Sequence, residues 1–117
     1  MKVDVIKRAR QVLDIEASAI RQLKQRINKN FAKALNIILK TQGRVVVSGM
    51  GKTGVIAQKF SATLASTGTP SLFLHTAEAI HGDLGKVTSS DVVIILSNSG
   101  STTEIRQLLP LDRKSVV

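Results

Sequence analysis

The chain has 117 residues, no cysteine and a formal net charge of +9. This length suits one domain with a modest core, and the absence of cysteine excludes disulfides, a thiolate nucleophile and thiolate metal sites. No stretch approaches the roughly 18 apolar residues of a membrane span, and no signal-peptide core follows the charged start. We therefore expect a cytoplasmic protein that binds no membrane.

The basic charge is concentrated in the first 44 residues, which carry eleven Lys and Arg against three Asp and Glu, whereas residues 45–117 carry six against five. Apolar residues recur in the first part at three- and four-residue spacing, at Ile20, Leu23, Ile27, Phe31, Leu35 and Ile38. The spacing predicts two helices with a break at residues 28–30, Asn30 as the cap of the second helix and Gly43 beyond its end. Because no aromatic residues alternate with the basic ones, we favour solvated helix faces or an oligomer contact over nucleic-acid binding.

A glycine-rich turn, Gly49-Met50-Gly51-Lys52-Thr53-Gly54, follows the first predicted strand. Its GxGxxG spacing is that of dinucleotide-binding folds, but these require an acidic residue at the end of the next strand, and Ser71–His75 ends in histidine. The P-loop motif of nucleotidases is also excluded, because its first glycine would fall on Val46. The turn is therefore either a structural tight turn or an anion site, with Lys52 and Thr53 at a helix start.

Helical and apolar stretches alternate along the rest of the chain. The predicted elements are strands at residues 44–48, 71–75 and 92–96, a helix at residues 55–67, a long polar loop at residues 76–85 and a helix that begins near Thr103. Short strands that are apolar throughout are typical of a parallel sheet buried on both faces. The order predicts an α/β fold, a flavodoxin-like three-layer αβα sandwich over residues 44–117, on which a helical segment over residues 1–43 packs.

The third strand leads into a hydroxyl-rich turn. Ser97, Ser99 and Thr102 supply hydroxyl donors there, and the free N–H groups of the following helix add to them. The carboxylate of Glu104 is expected in the first turn of that helix. These residues either bind an anion or only cap the helix. Because the strands are parallel, this turn and Lys52 meet at the carboxyl edge of the sheet, where open α/β folds bind ligands.

Four sequence blocks resemble the sugar isomerase (SIS) domain family. They are VSGMGKTG at 47–54, ASTGTP at 65–70, HGDLG at 81–85 and SNSG at 97–100, the last followed by Glu104. The similarity extends from about Ala9 to Leu109 and is strongest to the arabinose-5-phosphate isomerase branch. It implies an aldose–ketose isomerase that interconverts D-ribulose 5-phosphate and D-arabinose 5-phosphate for lipopolysaccharide biosynthesis. It also implies a homo-oligomer, which in this branch is usually a tetramer.

The resemblance further implies roles for individual residues. Lys52 and Glu104 match positions implicated in catalysis, and their chemistry suits a base and a cation beside an enediolate. His75 matches a position that can take a divalent metal, although no cofactor is expected to be required. The substrate-binding positions of the family match Gly51, Thr53, Gly68, Thr69, His81, Ser97, Asn98, Ser99, Gly100 and Thr102.

The chain departs from the branch in two places. Ser101 stands where the branch commonly has a carboxylate, which bears on the choice of substrate. The chain ends thirteen residues after Glu104, whereas the family domain continues through two more strands, which carry a further Glu and a His, and then through CBS modules. We therefore expect a truncated domain that holds part of the site.

Two other functions fit the same resemblance. A non-catalytic sugar-phosphate-binding module would need neither Lys52 nor Glu104, and both residues are present. A DNA-binding regulator with a SIS sensor would need a helix-turn-helix domain ahead of the sensor. The residues before Arg44 match the leading helices of the family instead, so the isomerase is the favoured prediction.

Overall fold

The computed structural model describes residues 2–80 and 83–100. In chain order the elements are α1 (Val5–Gln22), a 3-10 turn (Leu23–Arg26), α2 (Lys29–Lys40), β1 (Val45–Gly49), α3 (Gly51–Ser66), β2 (Ser71–His75), α4 (Thr76–Ile80), a second 3-10 turn (Asp83–Lys86) and β3 (Val92–Leu96). The chain divides into two compact units, and the boundary between them falls after Leu35, within α2. Among the described residues, no helix has the length and apolar character needed to cross a bilayer.

The two predicted N-terminal helices are confirmed, but the predicted cap of the second is wrong. α1 begins after Asp4, whose side chain accepts a hydrogen bond of 3.0 Å from the backbone N–H of Lys7. α2 begins at Lys29, and the side chain of Asn28 accepts from the backbone N–H of Asn30 at 2.9 Å. Asn28 therefore satisfies an N–H group that α2 leaves without a partner, and Asn30 already lies inside the helix.

The three strands form one parallel sheet in the order β2-β1-β3, which confirms the predicted sheet. The first residue of β1, Val45, pairs with the first residues of both neighbours, and its last residue, Gly49, pairs with His75 and Leu96. The strands therefore end at the same level. The loops that follow them start side by side at one edge of the sheet.

Both faces of the sheet are buried at β1, which explains why its sequence shows no alternation of apolar and polar residues. One face carries the buried cluster Val46, Leu74 and Val93, against which Leu72, Val87 and Ile95 pack. The other face carries Val45 and Val47 with Ala57 of α3, and Ile38, Leu64, Phe73, Ile94 and Leu96 pack against these. α3 thus covers one face of the sheet and fixes the direction in which the chain leaves β1.

Three predicted boundaries differ from the structure. β1 is shifted by one residue, to Val45–Gly49, and α3 begins at Gly51 instead of residue 55. The predicted loop at residues 76–85 contains α4 and a 3-10 turn. The helix predicted to begin near Thr103 lies outside the described residues.

At the opposite, amino edge of the sheet, Asp91 joins the starts of β1 and β3. The residue is 4% exposed, and its carboxylate accepts hydrogen bonds from the backbone N–H groups of Arg44, at 2.7 Å, and Thr88, at 2.8 Å. Burial raises the pKa of this carboxyl, but the hydrogen bonds from Arg44 and Thr88 outweigh burial and hold the pKa below its ordinary value. Asp91 is therefore an ionised anchor for the two strands that carry the candidate site at their other ends.

Candidate functional site

The turn between β1 and α3 consists of Met50 alone. Met50 is extended, with φ −116° and ψ 150°, and the next residue, Gly51, has φ +57°, in the left-handed region that glycine tolerates best. The carbonyl oxygen of Met50 accepts from the backbone N–H of Gly54 at 3.2 Å and from the hydroxyl of Thr53 at 2.7 Å. This tight connection puts the first N–H groups of α3, a favourable environment for an anion, directly at the carboxyl edge of the sheet.

The first and last glycines of the motif are required for a close contact between the end of β1 and the start of α3. A Cβ atom on Gly49 would lie 2.9 Å from the carbonyl oxygen of Thr53, and one on Gly54 would lie 2.9 Å from the carbonyl oxygen of Gly49. A Cβ on Gly51 would meet nothing within 4 Å. Two of the three glycines therefore serve packing of α3 on β1, and only Gly51 is needed for its backbone conformation.

This division of roles predicts that substitutions at Gly49 and Gly51 destabilise the protein for different reasons. We expect Gly49→Ala to lower the free energy of unfolding by about 1–3 kcal/mol, because the added methyl group collides with backbone atoms. Gly51→Ala is expected to cost about 1–2 kcal/mol through its left-handed conformation, and Gly51→Asn less, because asparagine tolerates that conformation. Urea unfolding of the three variants measures these costs. A neutral Gly49→Ala, or a Gly51→Asn no milder than Gly51→Ala, would contradict the assignment.

The turn after β3 is held by a side chain of its own. The hydroxyl oxygen of Ser97 accepts a hydrogen bond of 2.8 Å from the backbone N–H of Gly100, which has φ +69°. Since Ser97 accepts this bond, its own proton is left to donate to a ligand. Ser97 is half-buried, whereas Asn98, Ser99 and Gly100 are exposed.

A cleft of about 350 Å³ lies where these two turns meet. It is lined by Thr53, Ile56, Ile95, Leu96, Ser97 and Asn98. β1 is the central strand of the sheet. The chain continues from β1 to β2 on one side, whereas β3 lies on the other side, so the strand order reverses next to β1. Open α/β sheets bind ligands at this position, and the cleft lies there. Its volume suits a small molecule, with an aliphatic wall and a polar end.

Three of the lining residues, Ile56, Ile95 and Leu96, were not predicted as site residues. Leu96 could have been inferred from its position directly before Ser97, but an apolar residue at the end of β3 is equally expected in the core. Ile56 lies one turn into α3 and is exposed. The position of an aliphatic wall depends on how α3 lies across the sheet, which the spacing of apolar residues does not determine.

A second depression, of about 460 Å³, lies along α1. It is lined by Asp14, Ile15, Ser18, Ala19 and Gln22, all from one helix. It is larger than the cleft, but no turn, helix start or strand end contributes to it. We therefore assign the candidate site to the cleft at the sheet edge.

The two predicted ligands at the start of α3 differ in their availability. Lys52 is exposed, and within residues 2–80 and 83–100 the single ion pair joins Arg44 to Asp91, so the ammonium group of Lys52 is not held by a carboxylate there. The hydroxyl of Thr53 donates its proton to Met50. Thr53 can therefore offer a ligand its backbone N–H at once, but its hydroxyl only after breaking that bond.

Gly68 and Thr69 lie at the other edge of the sheet. They follow the C-terminal end of α3, and one residue, Pro70, separates Thr69 from the start of β2 at Ser71. The 16 residues of α3 correspond to about 24 Å of helix, so the cleft and this turn are separated by the length of α3. The structure does not bring the predicted substrate contacts Gly68 and Thr69 to the cleft, because a turn that leads into a parallel strand lies at its amino end.

His75, the predicted metal position, ends β2 level with Gly49 and Leu96. Its Nδ1 atom accepts a hydrogen bond of 3.2 Å from the backbone N–H of Ala77. In the described part of the chain, no three His, Cys, Asp or Glu side chains are grouped so that they could hold a metal ion. Among the other predicted site residues, His81, Thr102 and Glu104 lie outside the described residues.

Comparison with known proteins agrees with the fold. Residues 38–115 match the SIS domain. The chain is 53% identical over 112 residues to arabinose 5-phosphate isomerase KdsD of Pseudomonas aeruginosa, covering 96% of this chain and 34% of that protein. It is 46% identical over 117 residues to arabinose 5-phosphate isomerase GutQ of Escherichia coli K12, covering 99% of this chain and 36% of that protein. The chain thus spans about a third of the length of these curated relatives.

A solved structure gives the same result for the fold. The c3406 protein of Escherichia coli CFT073, in complex with arabinose 5-phosphate, superposes with a TM-score of 0.89 at 44% identity, over 98% of this chain and 62% of that one. The match of the SIS domain covers more than half of the sequence, and the fold that carries the carboxyl-edge cleft is shared with a solved relative. The chain belongs to the SIS domain family.

Proposed function

We propose that this chain is part of an aldose–ketose isomerase that interconverts D-ribulose 5-phosphate and D-arabinose 5-phosphate. The observation that carries the proposal is the cleft at the carboxyl edge, between the start of α3 and the turn after β3, in a chain 53% identical to an arabinose 5-phosphate isomerase. The cleft combines hydrogen-bond donors for a phosphate with an aliphatic wall for the carbon chain of a sugar. With a volume of about 350 Å³, the cleft suits a small sugar phosphate.

The phosphate is proposed to bind the turn after β3. Ser97 has its proton left to donate, and the first backbone N–H groups of α3 lie at the same edge of the sheet. Lys52 adds a cation at the neighbouring helix start. No carboxylate in the described residues competes for it.

The chemistry then requires one base and one stabilising charge. In aldose–ketose isomerisation a base removes the proton from the carbon beside the carbonyl, an enediolate forms, and the proton returns to the neighbouring carbon. We assign the base to Glu104, which lies outside the described residues, and the stabilisation of the enediolate to Lys52. Because the product is an isomer of the substrate, the reaction balances when one carbon-bound proton moves between the two carbons through the base and one hydroxyl proton moves between the oxygens on these carbons.

The site can be tested by titrating arabinose 5-phosphate into the labelled chain and following backbone amide shifts. We expect the perturbed amides to cluster at residues 97–100 and at the start of α3, from Lys52 to Gly54. The amides of Gly68 and Thr69, at the opposite edge, serve as an internal control and are expected to stay unchanged. Arabinose without phosphate should cause smaller shifts. Perturbation centred on Gly68 and Thr69, or equal responses to both sugars, would contradict the proposal.

We further propose that the protein acts in the cytoplasm as a homo-oligomer. The support for self-association is the set of aliphatic side chains that α1 leaves at least 60% exposed, which are Val5, Ile6, Leu13, Ile15 and Ile20. Three of them, Ile6, Leu13 and Ile20, recur at seven-residue spacing and so share one face of α1, and a row of exposed aliphatic side chains is typical of an interaction surface. α1 itself contains no buried residue, so these side chains are available to a second copy of the chain.

A further inference from the structure

The hydrogen bond at His75 determines which nitrogen of its ring carries a proton. Nδ1 accepts from the backbone N–H of Ala77 at 3.2 Å, so Nδ1 is bare and its lone pair points at that N–H. A neutral imidazole has one protonated nitrogen, which must then be Nε2. The ring is therefore held in the Nε2–H form.

This form does not fit a metal ligand. Nδ1 is occupied by Ala77, and Nε2 has a proton where a metal would need a lone pair. Moving the proton to Nδ1 would place it against the N–H of Ala77, so that two donors face each other. Histidines that bind metals normally donate their second N–H to a carboxylate or carbonyl, which is the opposite arrangement. Within the described residues no cluster of other metal-binding side chains compensates.

The same bond gives His75 a different role at the start of α4. Ala77 is the second residue of α4, and its N–H is one of those that a helix leaves without a partner. The side chain of His75 accepts from it, as the side chain of an N-cap residue does. The neighbouring side chain does not share this task, because the fully buried hydroxyl of Thr76 has no hydrogen-bond partner among the described residues.

The orientation of the His75 ring is set by the core. The ring lies edge-on to Phe73, with centroids 6.4 Å apart and an angle of 85° between the planes. Phe73 is part of the cluster beneath α3, and its Cζ atom lies 3.9 Å from the position of a Cβ on Gly54. The packing of the α3 start on the sheet is thus connected, through Phe73, to the ring that caps α4.

We propose that His75 is a positioning residue and not a metal ligand: it fixes the start of the segment that leads from β2 to the HGDLG block, through the bond from Ala77 to Nδ1. His81 is the first residue of that block, four residues beyond Ala77. The inference goes beyond the proposed isomerase and does not depend on it, because the role concerns the free protein without substrate.

The tautomer of His75 is the direct test. Long-range ¹H–¹⁵N spectra of the 117-residue chain separate protonated from bare ring nitrogens, and His81→Gln assigns the signals, since the chain has two histidines. We expect His75 in the Nε2–H form, with signals that one equivalent of Zn²⁺ leaves unchanged. A protonated Nδ1, or a Zn²⁺-dependent shift of Nε2 that disappears in His75→Asn, would overturn the proposal.

A second measurement separates capping from simple packing. Hydrogen exchange of the Ala77 N–H is expected to accelerate roughly 2- to 30-fold in His75→Leu, the range that corresponds to the loss of a helix cap. His75→Asn should restore slow exchange, because the asparagine side chain can accept from an N–H two residues later. Equal exchange in wild type and His75→Leu would refute the cap, as would a failure of His75→Asn to differ from His75→Leu. If His75→Leu does not fold, the tautomer of the wild type still decides.

Discussion

Replacing Asp91 with alanine is expected to lower the free energy of unfolding by about 3 kcal/mol or more. The carboxylate accepts from two backbone N–H groups, those of Arg44 and Thr88, and hydrogen bonds to a charged group contribute roughly 1.5–3 kcal/mol each. Alanine leaves both N–H groups without their partner at the starts of the strands. The ion pair itself contributes less, because its Nη2–Oδ2 distance is 3.5 Å and the Arg44 side chain is 43% exposed.

Arg44→Met is the matched control for Asp91→Ala. It removes the guanidinium, including its 2.6 Å bond to the carbonyl oxygen of Lys86, but keeps the backbone N–H that Asp91 accepts. We expect it to cost about 1 kcal/mol, well below Asp91→Ala, in urea unfolding at neutral pH. If the two variants lose the same stability, the ion pair and not the backbone hydrogen bonds holds the strands together.

The contribution of Asp91 also has a predicted pH dependence. The hydrogen bonds hold the pKa of the folded carboxyl below its ordinary value, so the unfolded chain takes up the proton first as the pH falls. The stabilisation is complete above the unfolded pKa of about 3.9 and is lost as the pH falls through the lower, folded pKa. The difference in stability between wild type and Asp91→Ala should therefore be constant near neutrality and shrink in acid. A difference that grows below about pH 4 would contradict this sign.

The strands were predictable because each is short and apolar on both faces. The predicted bounds of β2 and β3 agree with the structure, at Ser71–His75 and Val92–Leu96. Continuous apolar runs bounded by polar residues leave little choice of where these strands begin and end. The start of α3 was placed too late because three glycines argue against a helix on propensity alone. In the structure the contact of Gly54 with Gly49 outweighs that propensity. Secondary-structure propensities describe each segment separately, so they do not predict a contact between the end of a strand and the start of a helix.

The candidate site was predictable where it follows from sheet topology. Lys52 and Ser97 were expected at one edge because both follow parallel strands, and β1 and β3 are adjacent. Gly68 and Thr69 were included through family resemblance alone, and topology puts them at the other edge. Two local hydrogen bonds were not predicted: the Thr53 hydroxyl donates to Met50, and the N–H of Ala77 donates to His75. The partner of such a side chain depends on backbone geometry, which the sequence alone does not determine.

The prediction with the largest effect on activity concerns Glu104. In a protein that contains the whole domain, Glu104→Gln is expected to slow isomerisation by about 10²–10⁴-fold while the affinity for arabinose 5-phosphate changes only a few fold. Glutamine keeps the size of the side chain and part of its hydrogen bonding but cannot accept the proton. The loss therefore acts on the transition state and not on binding of the ground state.

Thr102→Ala is the complementary variant, because it removes a proposed phosphate contact and leaves the base in place. We expect it to weaken binding by about 1–3 kcal/mol, with a smaller effect on the turnover of bound substrate. Calorimetric titration and steady-state formation of ribulose 5-phosphate measure the two quantities separately. Near-normal turnover in Glu104→Gln would make Glu104 a helix-start residue and move the base to another part of the domain. An intact domain that binds arabinose 5-phosphate without converting it would instead establish the non-catalytic binding module, in which Lys52 and Glu104 have no chemical role.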